Sequence, residues 1–181
     1  MKRDIRTVIL GVTGSIAAYK ACELTSLLKK EGFDVRVVLT KEAKEFVTAL
    51  TLQTLSKNKV MTDMFEAPEA WDPIHTSLAD QAALILIAPA TANIIAKLAA
   101  GICDDLLTCA VFASDAPVLI APAMNDKMYA HRVTQDNIAK LKKIGYHFIG
   151  PVKGHLACGC DAMGHIAGLD AIIAEAKRLV K

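Results

Sequence analysis

Aromatic side chains are scarce in this chain, with five Phe, three Tyr and a single Trp among 181 residues. The 53% of hydrophobic residues is therefore mostly aliphatic, the composition of a parallel sheet covered by helices on both faces. Charge of one sign is also lacking. A net charge of +2 with dispersed basic residues makes no footprint for nucleic acid. Lys29, Lys30, Lys140, Lys142 and Lys143 fall at helix-end spacings, where they complement helix dipoles. No run approaches the ~20 apolar residues of a membrane-spanning helix, because Lys97 and Asp104 bracket the longest candidate. Residues 1–6 are charged, and the first apolar run, Val8 to Val12, is too short for the h-region of a signal peptide. Five cysteines are an odd number without secretory context, which reads as reduced thiols in a cytoplasmic protein. Neither a linker nor an internal repeat is present, so residues 1–181 are expected to form one domain. The mean hydropathy of +0.34 leaves apolar surface that a subunit interface would cover.

What is present is an alternation of strands and helices. Thr7–Leu10 reads as a buried strand, residues 11–15 as a tight turn, and Ile16–Lys30 as a helix stopped by Gly32. Val35–Leu39 is the second strand. Residues 42–57 read as helical with a break near Thr51, and 58–74 as irregular, punctuated by Pro68 and Pro73. Strands follow at Leu84–Ala88, Pro117–Ala121 and His147–Ile149, with helices at Asn93–Ala100, Asp105–Ser114, Thr134–Ile144 and Asp170–Val180. Residues 150–168 read as a Gly-rich loop. The pattern predicts a single-domain α/β fold, a three-layer doubly wound parallel sheet of Rossmann-like or flavodoxin-like type. Ligands of such sheets bind beyond the carboxyl ends of the strands. The polar clusters Thr13-Gly14-Ser15, Thr40, Ala90-Thr91-Ala92-Asn93 and Ala123-Met124-Asn125 all fall at such ends.

Gly14 and Ser15 open the first helix, where free N–H groups and a hydroxyl favour an anion, although a plain strand-to-helix turn would also use Gly. The GxxGS spacing is not the full GxGxxG of dinucleotide sites. The second strand ends in Leu39-Thr40, where a dinucleotide fold wants an acidic residue for the ribose. Thr40 instead suits a second contact to a terminal phosphate, so the expected cofactor is a mononucleotide such as FMN. Asn125 reads either as a helix cap or as a neutral amide donor. Cys158 lies between Ala157 and Gly159, with Cys160 close by. A CxC pair without further ligands is weak evidence for zinc, and no metal is expected.

These segments, taken in order, resemble the flavin-dependent cysteine decarboxylases. Gly11-Val12-Thr13-Gly14-Ser15-Ile16-Ala17-Ala18-Tyr19-Lys20 resembles the family's first motif, Thr40 its second phosphate contact, and Ala88-Pro89-Ala90-Thr91-Ala92-Asn93 the motif that lies against the flavin. Pro122-Ala123-Met124-Asn125 and Leu156-Ala157-Cys158-Gly159 are similar to its substrate segment and its proton-donor segment. The resemblance implies FMN held by Gly14, Ser15, Ile16, Thr40, Ala90, Thr91, Ala92 and Asn93. It implies a substrate on Ala123, Met124 and Asn125, and catalysis by His75, Asn125 and Cys158. In this chemistry oxidation of a CH₂–SH group to a thioaldehyde makes the carboxylate β to C=S, so that CO₂ can leave. His75 is the implied base or hydrogen-bonding partner, and Asn125 holds the carboxylate without opposing its loss as a cation would. Cys158, a thiol that stays protonated at neutral pH if it keeps the ordinary cysteine value of ~8.5, returns a proton when the enethiol is reduced.

A cysteine in that setting marks the branch acting on phosphopantothenoylcysteine in coenzyme A biosynthesis, with a homotrimer or dodecamer as the implied assembly. Since the chain stops at Lys181 after a last helix, a separate phosphopantothenoylcysteine synthetase is the expected partner, with no nucleic acid or membrane involved. The last motif departs from the family. Ala162 stands at a usual glycine, His165 at the usual Arg and Gly168 where an acidic residue is common. A changed clamp leaves room for a decarboxylase of peptidyl or other cysteines. A flavin prenyltransferase would want grouped basic residues, and a flavin-binding electron-transfer module leaves His75, Asn125 and Cys158 unexplained.

Overall fold

The computed structural model describes residues 6–65, 73–155, 159 and 161–180. Five parallel strands, β1 (Thr7–Val12), β2 (Asp34–Leu39), β3 (Ala82–Ala90), β4 (Val118–Pro122) and β5 (His147–Phe148), form one sheet in the order β2-β1-β3-β4-β5. The helices are α1 (Lys20–Lys30, entered through a 3₁₀ turn at Ile16–Tyr19), α2 (Ala49–Ser56), α3 (Ile74–Gln81), α4 (Ala92–Ala100), α5 (Leu106–Ala113), α6 (Asp126–Ala130), α7 (Arg132–Lys143) and α8 (Leu169–Leu179). Side chains alternate across the sheet, as the pleat requires. Val8, Leu10, Leu84, Leu86 and Leu119 pack with Leu24 and Leu28 of α1, Leu52 of α2 and Ile172 of α8. Ile9, Ile85, Ile87 and Ile120 face the opposite way, onto Leu78 of α3, Ile95 of α4, Leu107 of α5 and Leu141 of α7. Each fully buried Leu or Ile contributes about 1.5–3 kcal/mol, and both faces of the sheet are covered. The doubly wound single-domain fold expected from the sequence is the one observed. Among the described residues no helix is long and apolar enough to cross a membrane.

Three local readings change. The break in the second helical stretch is three residues earlier than Thr51, because the Thr48 hydroxyl accepts from Thr51 N–H at 3.3 Å and starts α2 there. Helix α3 is an element the pattern did not suggest. Pro73 is not a mere punctuation mark but its N-cap, whose carbonyl accepts from the N–H groups of Thr76 and Ser77. Residues 150–168 are not all loop, since they contain an antiparallel pair, β6 (Val152–His155) and β7 (Asp161–His165). Gly154 and Gly164 interrupt the alternation that would have signalled it.

The sheet order puts the topological switch point between β1 and β3, whose onward connections leave in opposite directions. Around it the strand ends are tied together. The buried Thr13 hydroxyl donates to Pro89 O at 2.7 Å and accepts from Thr91 N–H at 3.1 Å. Ala123 N–H donates to Ala90 O at 3.0 Å.

The start of α5 beside this region is set by Asp105. Its carboxylate accepts from Thr108 N–H at 2.8 Å in a capping box and pairs with Lys97 at 2.9 Å. Burial works to raise this carboxyl. The Thr108 N–H, the Lys97 ammonium and the Thr108 hydroxyl outweigh it and hold the group below its ordinary value. A carboxyl depressed in the folded state stabilises above the unfolded value of ~3.9, and that contribution is lost as pH falls through the lower folded value. Asp105→Ala is therefore expected to cost about 1–2 kcal/mol at neutral pH. Thermal melts should show the difference between the variant and the parent shrinking below pH ~4; a difference independent of pH would contradict this role.

Candidate active site

A cavity of about 830 Å³ opens at the carboxyl ends of β1, β2, β3 and β4, within the ~300–1,000 Å³ span of small-molecule and cofactor sites. Its floor and walls bring together Gly14, Ser15, Ile16, Thr40, Thr91, Ala92, Asn93, Ala123, Met124 and Asn125. Ten of the residues expected at the site from the sequence thus converge on one cavity, from four separate strand ends. Ala90 is not among its lining. It is buried in β3, where its carbonyl bonds Ala123 N–H. His75 is half-buried on the first turn of α3 and does not line the cavity either. Cys158, together with Leu156, Ala157 and Cys160, lies outside the described residues.

Ser15 is the N-cap of the 3₁₀ turn, and its hydroxyl accepts from Ala17 N–H at 3.3 Å. The turn runs directly into α1; Ala17 N–H is taken by the Ser15 hydroxyl and Ala18 N–H by the Ser15 carbonyl at 2.8 Å, while Ser15 and Ile16 set the positive end of the turn at the cavity. Gly14 has no side chain because there is no room for one. A Cβ there would lie 2.4 Å from Glu42 Cβ and 3.2 Å from the Glu42 carbonyl carbon. Thr40 ends β2, its N–H bonding Val12 O at 3.1 Å and its hydroxyl accepting from Ala43 N–H at 3.3 Å. Glycine, serine and threonine at two adjacent strand ends form a cradle of hydroxyls and N–H groups suited to a phosphate. Thr91 caps α4 by accepting from Ile94 N–H at 3.3 Å, and Ala92 and Asn93 of its first turn line the cavity.

Asn125 proves to be a cap as well as a cavity residue. Its Oδ1 accepts from Lys127 N–H at 3.0 Å and Met128 N–H at 3.4 Å, opening α6. With the oxygen committed to the helix, the amide's donor side is fixed in orientation. The β6–β7 hairpin is anchored beside it, Met124 N–H donating to Gly164 O at 3.1 Å. Through this anchor Gly164, His165 and Ile166 complete the cavity wall.

Several lining residues were given no role from the sequence: Tyr19, Lys20, Glu42, Asp105 and Met128. Ile16, Tyr19 and Lys20 have the i, i+3, i+4 spacing of one helix face, a signal available in the sequence. Among the described residues no group of His, Cys, Asp and Glu could hold a metal ion.

The flavoprotein family model matches residues 1–181. A probable phosphopantothenoylcysteine decarboxylase of Streptococcus mutans is 46% identical over 170 residues, covering 93% of this chain and 95% of the relative. The coenzyme A biosynthesis bifunctional protein CoaBC of Bacillus subtilis is 47% identical over 173 residues, 96% of this chain. The chain spans 43% of that bifunctional relative's length. Among solved structures, a Cys-to-Ser variant of PPC decarboxylase complexed with pantothenoylaminoethenethiol matches with a TM-score of 0.85 at 32% identity, over 96% of this chain and 97% of that one. The FMN-dependent cysteine decarboxylase SpaF matches with a TM-score of 0.86 at 28% identity, over 98% and 97%.

Proposed function

This chain belongs to the flavoprotein family, and from that premise we propose that it is an FMN-dependent phosphopantothenoylcysteine decarboxylase of coenzyme A biosynthesis. The observation that carries the reading is the single cavity in which a phosphate cradle (Gly14, Ser15, Thr40) meets the Ala123-Met124-Asn125 segment. The decarboxylases of similar sequence and structure support it. The cavity fits a flavin mononucleotide on its own chemistry, with N–H groups and hydroxyls at one end and small side chains beyond. Gly14, Ser15, Ile16 and Thr40 would hold the phosphate, while Thr91, Ala92 and Asn93 would take the ring system, backed by Ala90.

Bound FMN supplies reversible two-electron oxidation of the substrate's thiol-bearing carbon. The chain's own share is orientation and proton handling. Asn125 is proposed to grip the substrate carboxylate through its amide N–H donors. As a neutral donor it holds the anion without stabilising it against departure. Ala123 and Met124 shape the pocket beside it. His75 is proposed to accept or hold the thiol proton, and Cys158 to donate the proton that, with the two electrons a reduced flavin would return, saturates the enethiol.

His75 does not line its own chain's cavity, whose rim carries exposed apolar side chains: Ile16 at 60%, Tyr19 at 59% and Met128 at 50%. We therefore propose a cytoplasmic homotrimer, alone or gathered into a dodecamer, in which the partner subunit's His75 completes each site. Mixing inactive His75→Asn and Asn125→Asp subunits should then restore partial activity, since some cavities receive both native residues. Mixtures as inactive as either variant would place His75 outside a shared site. A phosphopantothenoylcysteine synthetase is the proposed source of the acid.

The experiment that tests the reading is CO₂ release from phosphopantothenoylcysteine by FMN-loaded protein; flavin-loaded protein that releases none contradicts it. Gly14→Ala probes the cradle. Its methyl group cannot be placed without separating the turn from Glu42. Overpacking of about 1–3 kcal/mol should weaken FMN by roughly tenfold or more in a fluorescence titration. Unchanged affinity would remove Gly14 from the cofactor site.

A further inference from the structure

We propose that Lys20, steadied by His165, is the cation with which this cavity recognises a phosphate group on its ligand. The proposal rests on reading the cavity as the decarboxylation site. Among the described lining residues Lys20 is the only Lys or Arg. Its ammonium meets His165 Nε2 at 3.4 Å. An ammonium can only donate, so Nε2 is the acceptor. The other ring nitrogen agrees: Nδ1 lies 2.9 Å from Ile166 O, and a carbonyl can only accept, so the proton is on Nδ1.

The ring itself is confined. A Cβ built on Gly154 would come within 3.0 Å of His165 Cβ and Cγ, so the absence of a side chain there lets the imidazole lie against the neighbouring strand. The result is a lysine positioned by a neutral acceptor, not by a carboxylate. No carboxylate among the described residues is within ion-pair distance of its ammonium. Of the acids that line the cavity, Glu42 packs its Cβ against Gly14, and Asp105 is already held by Lys97 and by the Thr108 cap. A carboxylate partner would have fixed Lys20 and cancelled its charge, whereas an imidazole fixes it and leaves the charge and its remaining donors for a ligand. The interior is largely apolar, which strengthens that charge's pull on an anion. His165 is thus a positioning residue.

The test uses FMN-loaded protein and two unreactive analogues in which serine replaces the substrate's cysteine, phosphopantothenoylserine and pantothenoylserine, with binding measured by calorimetry. FMN and riboflavin are titrated separately into apoprotein. Lys20→Met is expected to weaken an anionic ligand roughly tenfold or more. Loss confined to the phosphorylated analogue assigns Lys20 to the substrate phosphate. Equal loss for both analogues, with flavin affinities unchanged, overturns the proposal, because it would put the cation on the carboxylate that Asn125 holds. Loss for FMN but not riboflavin assigns it to the cofactor phosphate. If all four affinities stay within twofold, the proposal is overturned. His165→Ala should reproduce part of the Lys20→Met loss, and His165→Gln, which keeps a neutral acceptor, should recover it. A normal His165→Ala protein beside a weakened Lys20→Met protein overturns the positioning role. Failure of the unmodified protein to bind either analogue counts against the decarboxylase reading. The flavin titrations then decide the Lys20 proposal alone: equal FMN and riboflavin responses overturn it.

Discussion

Asn125→Asp is expected to leave α6 capped and the flavin bound while lowering decarboxylation roughly 10²–10³-fold, the usual cost of removing one preorganised donor. The two functions of Asn125 use different atoms. Its Oδ1 caps α6 through Lys127 and Met128 N–H groups, and aspartate accepts those bonds at least as well at a positive helix end. What aspartate cannot do is donate, and its charge repels a substrate carboxylate. Asn125→Ala loses both functions and is expected to cost about 1 kcal/mol of stability through the cap as well. Comparing the melting temperatures and kcat of the two variants separates the cap from the catalytic donor. Normal turnover by Asn125→Asp would leave Asn125 a cap only.

Gly164→Ala is expected to cost roughly 10²-fold in kcat/KM with FMN still bound, as a displacement of about 1 Å at a reacting group can. Gly164 has φ +150°, and a Cβ there would lie 2.2 Å from the Met124 carbonyl oxygen. That oxygen belongs to the backbone that presents Asn125, so no side-chain rotation relieves the contact. Either the hairpin lifts, breaking the 3.1 Å bond from Met124 N–H to Gly164 O, or the Asn125 segment turns away. The sheet is far less affected, because β6 and β7 form a separate two-stranded unit. Steady-state kinetics and flavin absorbance decide the outcome. A fully active, flavin-loaded Gly164→Ala protein would show that the hairpin does not hold the substrate segment in place.

The fold was legible in the sequence because its strands are continuous aliphatic runs. Val8–Leu10, Leu84–Ala88 and Val118–Ala121 are buried on both faces, and only parallel strands between helices need that. Polar residues just past those runs located the site, since ligands of such sheets bind beyond the carboxyl ends of the strands. Helix α3 was hidden by its own chemistry. Its sequence Ile74-His75-Thr76-Ser77-Leu78 carries a narrow apolar stripe and follows Pro73, which resembles a loop signal. The hairpin was hidden by glycines that pack against neighbours instead of alternating with polar residues. Lys20 closes the Gly11–Lys20 motif yet had no visible role in the sequence, because its partner His165 is 145 residues away in the chain. Partnerships of that length are properties of the fold, and only the folded chain reveals them.

The most direct test of the decarboxylase account is the mass of the product formed anaerobically from phosphopantothenoylcysteine by the FMN-loaded protein. The account predicts loss of CO₂ alone, giving phosphopantetheine, with the flavin returned to its oxidised state. Cys158→Ser should shift the product to one lacking two further hydrogens, the enethiol. If the unmodified protein itself yields the enethiol, the reductive step proposed for Cys158 is wrong. If the acid is recovered unchanged from flavin-loaded protein, the assignment of this cavity to phosphopantothenoylcysteine is contradicted.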